Sequence, residues 1–201
     1  MSVVEVTLLR LKGVAPYAPA LLESLSSVRG ILKTQSEFYS CIEDPTLIFI
    51  LGLWPSLEAH HEFLASPRAA EVLGPQETML EFRWTVHMPL DAIALLPLDA
   101  PVLAVNRRQV RDEDSDAYDE ERVTEEEAIL QSSGHRVVGG WRLDAAPGTK
   151  EALLFTGWQT AEEHAAFRAR PKTLRNVHHT APDLYEIVET YHAQNMERRP
   201  T

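Results

Sequence analysis

The stretch WPSLEAHHEFLASP, residues 54–67, occurs a second time in this chain as WQTAEEHAAFRARP, residues 158–171. A shift of 104 positions superimposes the two copies without a gap. The matched pairs are Trp54 with Trp158, Ser56 with Thr160, Glu58 with Glu162, His60 with His164, Phe63 with Phe167 and Pro67 with Pro171. Six matches in one ungapped window predict an internal repeat, in which one domain is written twice.

Each copy carries the signals of a strand that leads into a helix. An apolar run, LIFILGL or ALLFTG, comes first, and Ser56 or Thr160 then offers a good N-cap. Helical spacing places His60 and His164 on the face that covers the sheet. A histidine in that position is either a satisfied core residue or a pocket residue, and its presence in both copies slightly favours a shared structural role.

The remaining pattern predicts the same order of elements, β-α-β-β-α-β, in each repeat. The first repeat, residues 1–91, has predicted strands at 3–11, 31–43, 46–54 and 81–89, and a first helix at 16–28 that ends at Gly30. The second repeat, residues 102–194, has predicted strands at 102–110, 135–143, 150–158 and 184–192, with Gly139-Gly140 as a bulge or a close backbone approach. Residues 92–101 are the predicted linker, and residues 195–201 are a predicted frayed tail.

Composition limits the classes of protein that fit. With 201 residues and 44% hydrophobic residues, the chain is long enough to bury a core. The single cysteine, Cys41, excludes an internal disulfide framework, and no apolar run approaches the roughly 20 residues that span a bilayer. No signal peptide is recognisable, so we expect a soluble cytoplasmic protein without a membrane partner. The net charge of −11 argues against nucleic acid as a partner.

Residues 112–127, DEDSDAYDEERVTEEE, hold ten acidic residues and one arginine, a net charge of −9. Such a run predicts a surface helix or loop whose charges mostly face water and whose first part, residues 112–116, is mobile. A carboxylate-rich Ca²⁺ site is the alternative, but the spacing lacks the glycine and the distal ligand of an EF-hand loop.

No motif in the chain specifies a reaction. G-x-S-x-G, the P-loop and H-E-x-x-H do not occur, and no G-x-G-x-x-G follows a strand. The adjacent pairs His60-His61 and His178-His179 do not place two ligands on one helix face, so we expect no metal site. What remains is a set of histidines and tryptophans suited to a largely apolar pocket, although the tryptophans are also explained as core residues.

The order of elements, with Gly52-Leu53-Trp54 leading into a helix that reads E-x-H-x-x-F, resembles the dimeric α+β barrel superfamily. The nearest members are the antibiotic biosynthesis monooxygenase-like and stress-responsive barrel domains, and the resemblance covers about residues 1–91 and 102–194. It implies an α+β fold of two ferredoxin-like units that pair into a barrel within one chain. A homodimer stays open as a further assembly.

The superfamily includes cofactor-free oxygenases, polyketide cyclases, haem-degrading enzymes, isomerases and proteins without a known activity. Its oxygenases and haem degraders commonly use an Asn, a Trp and a His or Arg in the pocket. The resemblance therefore adds Asn106, with Trp158, as a partial match to that set. The helix histidine lies at a different distance from the tryptophan than in the haem degraders, so we expect no cofactor.

Two hypotheses follow. In the first, a cofactor-free monooxygenase or cyclase acts on a hydrophobic aromatic or polyketide-like small molecule, and a pocket histidine takes the proton. The candidate catalytic residues are His60, His87, His164 and His192, and the candidate substrate contacts are Trp54, Trp84, Trp158, Arg168 and Asn106. In the second, a non-catalytic barrel binds a ligand or a protein partner.

Overall fold

The computed structural model describes residues 1–170 and 184–198 of the chain. The chain divides into two compact units. Unit 1 comprises Met1–Ile93 and Ala193–Thr201, and unit 2 comprises Ala94–His192. Each unit combines antiparallel strands with helices, so the chain is of the mixed α+β class and has ferredoxin-like units.

Unit 1 begins with strand β1 and follows the predicted β-α-β-β-α-β order, with one additional helix. Its elements are β1 Val3–Leu11, α1 Pro19–Leu32, β2 Glu37–Cys41, β3 Leu47–Trp54, α2 Leu57–Ala65, α3 Pro67–Leu73 and β4 Leu80–Pro89. The strand order is β4-β1-β3-β2, and all of these pairs are antiparallel. The central strand β1 therefore has a partner on both sides.

Unit 2 has the same strand order with its own elements. These are β5 Val102–Val110, α4 Ser115–Ser133, β6 Val137–Trp141, β7 Lys150–Trp158, α5 Ala161–Ala169 and β8 Tyr185–Asn195. The strand order is β8-β5-β7-β6. The glycines of β6 keep a regular register with β7, and a Cβ at Gly139 would lie 2.7 Å from the Glu126 carboxylate, so the expected close approach is present without a bulge.

Several predicted boundaries need correction. Helix α1 continues through Gly30 to Leu32, because Lys33 itself adopts the left-handed cap conformation with φ of 57°. Strand β2 is shorter than residues 31–43. An additional helix, α3, follows α2, and Pro67 occupies its first turn, where the missing N–H of proline costs nothing.

The predicted frayed tail is also wrong for residues 195–198. Strand β8 runs to Asn195, and its last residues, Ala193 to Asn195, pair with β2. Met196 is 2% exposed and donates its backbone N–H to the Phe38 carbonyl at 2.8 Å. Arg29 makes a two-pronged ion pair with Glu197, at 2.7 and 2.8 Å. A polar tail can thus complete a sheet edge, because its backbone supplies the pairing.

The acidic segment forms a short 3-10 turn at Asp112–Asp114 and then most of α4. The prediction that its charges face water holds only in part, because Glu121 and Glu125 are buried. Glu125 accepts two hydrogen bonds from the buried Arg108 guanidinium, at 2.6 and 3.1 Å. A paired carboxylate can be buried at a tolerable cost, which a count of charges along the sequence does not reveal.

Alternation along β1 separates the two faces of the unit 1 sheet. Val4, Val6 and Leu8 point to the face without helices, whereas Glu5 and Thr7 point towards the helices. The helix side therefore carries polar groups among apolar ones, and the candidate site lies there. Among the described residues, no helix is long and apolar enough to cross a membrane.

Candidate functional site

A cavity of about 280 Å³ lies between the sheet and the helices of unit 1. Most of its wall is apolar, with side chains such as Leu9, Leu25, Phe38, Ile50, Phe63 and Leu80. Polar and charged side chains make up the rest of the wall, among them Glu5, Thr7, His60 and Thr85. A largely apolar cavity with a few convergent polar groups is the usual form of a small-molecule site.

The repeated stretch builds one end of this cavity. Strand β3 ends at Trp54, and the Ser56 hydroxyl then accepts the Ala59 N–H at 3.1 Å, which caps α2 as the sequence predicted. One turn later His60 is 3% exposed. Its ring stacks on the Trp54 indole with centroids 4.4 Å apart and planes 18° from parallel. The strand-to-helix turn thus brings Trp54 and His60 together in the cavity wall.

His60 is hydrogen-bonded to His87 of β4. The Nδ1 atom of His60 lies 2.7 Å from Nε2 of His87, and His87 is fully buried behind it. The next residue, His61, does not share the buried face of α2: its side chain is exposed, and a ring contact to His87 connects it with the pair. The two histidines singled out in the first repeat therefore form a buried pair that faces the cavity through His60.

Glu5 is a cavity residue that sequence reasoning missed. Its carboxylate accepts the Trp54 indole N–H at 2.6 Å and the Thr7 hydroxyl at 2.5 Å, and it lies 3.7 Å from Nε2 of His60. Its side chain is 14% exposed, and it lines the cavity. The sequence did contain a signal for this residue. In the strand VVEVTLLRL, Glu5 and Thr7 are two positions apart, so their polar side chains share one face.

A β-bulge shapes the mouth of the cavity. Leu8 pairs with Trp84 and Leu9 pairs with Phe82, so Arg83 is an extra residue in β4. The extra residue turns Phe82 to the helix side, where it lines the cavity while 63% exposed. Leu64 of α2 also lines the cavity and is 43% exposed. The mouth therefore presents two accessible apolar side chains.

Trp84 does not belong to this cavity, contrary to the expectation that it forms a wall beside His60. Its neighbour Thr85 points to the helix side, so alternation turns Trp84 to the opposite face of the sheet. There it packs edge-on against Phe49, with ring centroids 6.0 Å apart. Its side chain is half-buried there.

Unit 2 repeats the aromatic geometry. Trp158 pairs with Val102 as Trp54 pairs with Val3. The His164 ring stacks on Trp158 with centroids 4.8 Å apart, and Nδ1 of His164 lies 2.8 Å from Nε2 of His192. All four candidate catalytic histidines are thus placed in pairs, one pair in each unit. His178 and His179 lie outside the described residues.

The polar groups around the second pair differ. Ala104 occupies the position of Glu5, and Thr156 occupies that of Gly52; the two are cross-strand partners, as Glu5 and Gly52 are. The Trp158 indole N–H is therefore donated to the Thr156 hydroxyl, at 2.7 Å. Unit 2 holds its tryptophan without a carboxylate.

Asn106 and Arg168 are connected through Thr190. The Thr190 hydroxyl donates to the Asn106 side-chain oxygen at 3.0 Å, and Arg168 donates to Thr190 at 3.3 Å. Asn106 is buried, whereas Arg168 is exposed. The structure thus brings together the two predicted polar contacts of the second repeat.

Further along β5, Arg108 stands at the position of the cavity residue Leu9. Its guanidinium is bonded to Glu125 and lies over the Tyr185 ring, 4.3 Å from the centroid. Burial would lower the pKa of Arg108, but the charge and hydrogen bond of Glu125, together with the charges of Tyr185 and Tyr118, outweigh it, so this pKa is raised. Burial also raises the pKa of Tyr118 to about 12. In unit 2, charged and aromatic side chains therefore pack at a position that belongs to the cavity wall in unit 1.

Among residues 1–170 and 184–198, no group of three His, Cys, Asp or Glu side chains is arranged to hold a metal ion. Nδ1 of His60 is bonded to His87, and its Nε2 lies 3.7 Å from the Glu5 carboxylate. His87 itself is fully buried and does not line the cavity.

Comparison with known proteins supports the fold. No family model matches the chain, and no curated protein matches it significantly. The chain is similar to the solved structure of a candidate chlorite dismutase, with TM-score 0.61 and 11% identity over 96% of this chain and 94% of that one. It is also similar to a candidate monooxygenase from Lactobacillus acidophilus NCFM, with TM-score 0.59 and 8% identity over 97% and 94% of the two chains.

A third similar structure is an anthrone oxidase-like protein, with TM-score 0.58 and 15% identity over 96% of this chain and 91% of that one. Each of these proteins is matched along nearly its whole length. The TM-scores show a shared ferredoxin-like α+β architecture. Because the sequence identities are this low, the function has to be argued from the site.

Proposed function

We propose that the chain is an oxidative enzyme of the cofactor-independent monooxygenase type, which acts on a hydrophobic aromatic molecule in the cavity of unit 1. The observation that carries this proposal is His60, a proton-transfer group that lines a largely apolar cavity and is backed by a buried second histidine. The names of the similar structures, a candidate monooxygenase and an anthrone oxidase-like protein, agree with an oxidative reaction.

The hydrogen bond between the histidines sets the chemistry of His60. With Nδ1–H of His60 donating to Nε2 of His87, Nε2 of His60 has an unshared pair directed at the cavity side. That nitrogen takes a proton from an acidic C–H or O–H of the substrate. The imidazolium formed is stabilised by Glu5, 3.7 Å from Nε2. His60 is therefore the general base, and His87 holds its tautomer.

The substrate carbanion then reacts with O₂. For an anthrone, the deprotonated ring carbon forms a C–O bond with O₂, and the His60 imidazolium returns its proton to the peroxide anion. The resulting hydroperoxide loses water. The CH₂ group becomes a C=O group, so one oxygen atom enters the product quinone and the other leaves in water. The protein's contribution is to bind the ring between apolar walls and to move the proton, because the electrons come from the substrate.

We also infer that the two units are diverged copies which pair into one α+β barrel, with unit 1 as the working half. The support is the shared strand order and the paired Trp–His–His contacts of each unit. Under this proposal a single chain has a complete barrel. Light scattering of the purified protein should then give a monomer mass near 22.6 kDa; a dimer as the smallest species would contradict this part of the proposal.

The test is oxygen-dependent turnover of anthrone to anthraquinone, followed by absorbance. His60→Ala should lower the rate roughly 10²–10⁴-fold, because a general base is removed. His164→Ala is the matched control, since His164 makes the same stacking and hydrogen bond in unit 2. It should retain the rate.

Thermal unfolding separates the two explanations for a change at His60. If His60→Ala lowers the melting temperature but keeps full turnover, His60 is a packing residue and the assignment is wrong. If the wild-type protein binds aromatic molecules but turns none over, the alternative of a non-catalytic ligand-binding barrel replaces the enzyme.

A further inference from the structure

Glu5 brings a negative charge into the cavity of unit 1. Two other charged side chains line the wall: Arg29 and Glu77. Arg29 is half-buried and is neutralised by its two-pronged ion pair with Glu197, whereas Glu77 is exposed. Within residues 1–170 and 184–198, the ion-pair partner of Glu5 is His60, which is charged only when protonated. With His60 neutral and ready to act as a base, the interior of the cavity is therefore anionic.

The Glu5 carboxylate also keeps acceptor capacity. Two carboxylate oxygens offer about four lone-pair directions. The Trp54 indole and the Thr7 hydroxyl each take one, and Thr85 donates onward to Thr7 at 2.8 Å. The remaining directions can accept a hydrogen bond from a molecule in the cavity.

Unit 2 indicates that the carboxylate is not needed to hold the tryptophan. There the equivalent indole N–H is donated to a threonine hydroxyl, and an alanine, Ala104, stands at the position of Glu5. The stacked Trp158–His164 pair and the His164–His192 bond are kept without a carboxylate. The presence of Glu5 in unit 1, where the tryptophan does not require a carboxylate, therefore points to a function towards a ligand.

We propose that Glu5 is a specificity-determining residue: it accepts a hydrogen bond from the hydroxyl of a neutral aromatic substrate and excludes aromatic carboxylates. This deepens the proposed function and rests on the same cavity. A hydroxyl that donates to an ionised carboxylate makes a strong hydrogen bond. A second carboxylate a few ångströms from Glu5, in surroundings of low dielectric, is repelled strongly enough to weaken binding roughly 10²–10³-fold.

Two probes of matched size test this proposal, 2-naphthol and 2-naphthoate, with binding measured by isothermal titration calorimetry at pH 7. The wild-type protein should bind 2-naphthol about 100-fold more tightly than 2-naphthoate. Glu5→Gln, which keeps an oxygen acceptor for Trp54 and Thr7, should reduce this ratio below about 10-fold. Glu62→Gln removes an exposed charge on the outside of α2 and should leave the ratio unchanged.

If Glu5→Gln does not fold, the double variant Glu5→Ala with Gly52→Thr copies the pair found in unit 2 and replaces it in the test. Equal binding of the two probes to the wild type, no binding of 2-naphthol, or an unchanged ratio in the Glu5 variant would each overturn the proposal.

The test of Glu5 measures binding only, whereas the test of the proposed function measures turnover of anthrone. The two proposals can therefore fail independently. Selective binding of 2-naphthol by a protein that does not oxidise anthrone would support the role of Glu5 and reject the oxidation. Turnover that depends on His60, together with equal binding of both probes, would do the reverse.

Discussion

Glu151 of β7 shows how strongly single residues are held by their charged neighbours. Its carboxylate accepts hydrogen bonds from Arg107, at 2.5 and 3.1 Å, and from Arg142, at 2.9 Å. Burial alone would raise its pKa, but the hydrogen bonds and charges of the two arginines outweigh burial, and the pKa is lowered. The ionised form of Glu151 is therefore more stable in the folded protein than in the unfolded chain.

This shift predicts a pH dependence of stability. Because the folded pKa lies below the unfolded value of about 4.3, the stabilisation is complete at pH values above it and is lost as the pH falls through the folded pKa. Glu151→Gln should be less stable than the wild type at pH 7 and should lose less stability between pH 5 and pH 3. Urea unfolding at several pH values measures both effects. If the wild type and Glu151→Gln lose the same free energy of unfolding between pH 5 and pH 3, the assignment is wrong.

For single residues, the sequence revealed which residues are repeated but not which side chains they contact. Trp54 and His60 could be placed together because capping and helical spacing are local rules. Glu5 acquires its importance from β3 and α2, which are distant in sequence. The side taken by Phe82 depends on a bulge that strict alternation does not foresee.

Among the elements, α4 depends on one buried ion pair more than its composition suggests. Its sequence has little apolar periodicity, yet Glu125 bonds Arg108 in the interior of unit 2. Glu125→Gln leaves the Arg108 charge buried without its partner and should lower the free energy of unfolding by about 3–5 kcal/mol.

Glu127→Gln is the matched control for this prediction, since Glu127 is exposed two residues further along the same helix. Its effect should stay within about 0.5 kcal/mol. Chemical denaturation of both variants makes the comparison, and equal effects would mean that the Arg108–Glu125 pair contributes little.

The elements themselves were largely predictable where the hydrophobic pattern is strong. The predicted strands at residues 3–11, 102–110 and 150–158 coincide with β1, β5 and β7. Helix α3 was missed because Pro67 and Gly74 are turn formers in isolation, although a proline is also well placed in a first helical turn.

For the molecule as a whole, unit 1 contains residues from both ends of the described chain. Met196 packs in one cluster with Leu9, Leu25 and Phe38, three residues that also line the cavity. Met196→Ala should therefore lower the free energy of unfolding by about 2–5 kcal/mol, through lost burial and the space left behind.

Met1→Ala provides the control, because Met1 is 75% exposed and its truncation should change stability little. The measurement is urea unfolding followed by tryptophan fluorescence. A loss below about 1 kcal/mol for Met196→Ala would mean that the tail adds little to unit 1. The sequence hid this role because NMERRP is polar, and polarity predicts neither a buried methionine nor backbone pairing.

The pairing of residues 193–195 with β2 also orders events during translation. Ribosomes add about 5–20 residues per second, so roughly 5–20 seconds separate the emergence of Ile93 from that of Ala193. Throughout that interval β2 is an uncovered sheet edge, able to pair with a neighbouring nascent chain. Polysomes that translate this protein are therefore where aggregation should begin, and a stop codon before residue 193 would make that vulnerable state permanent.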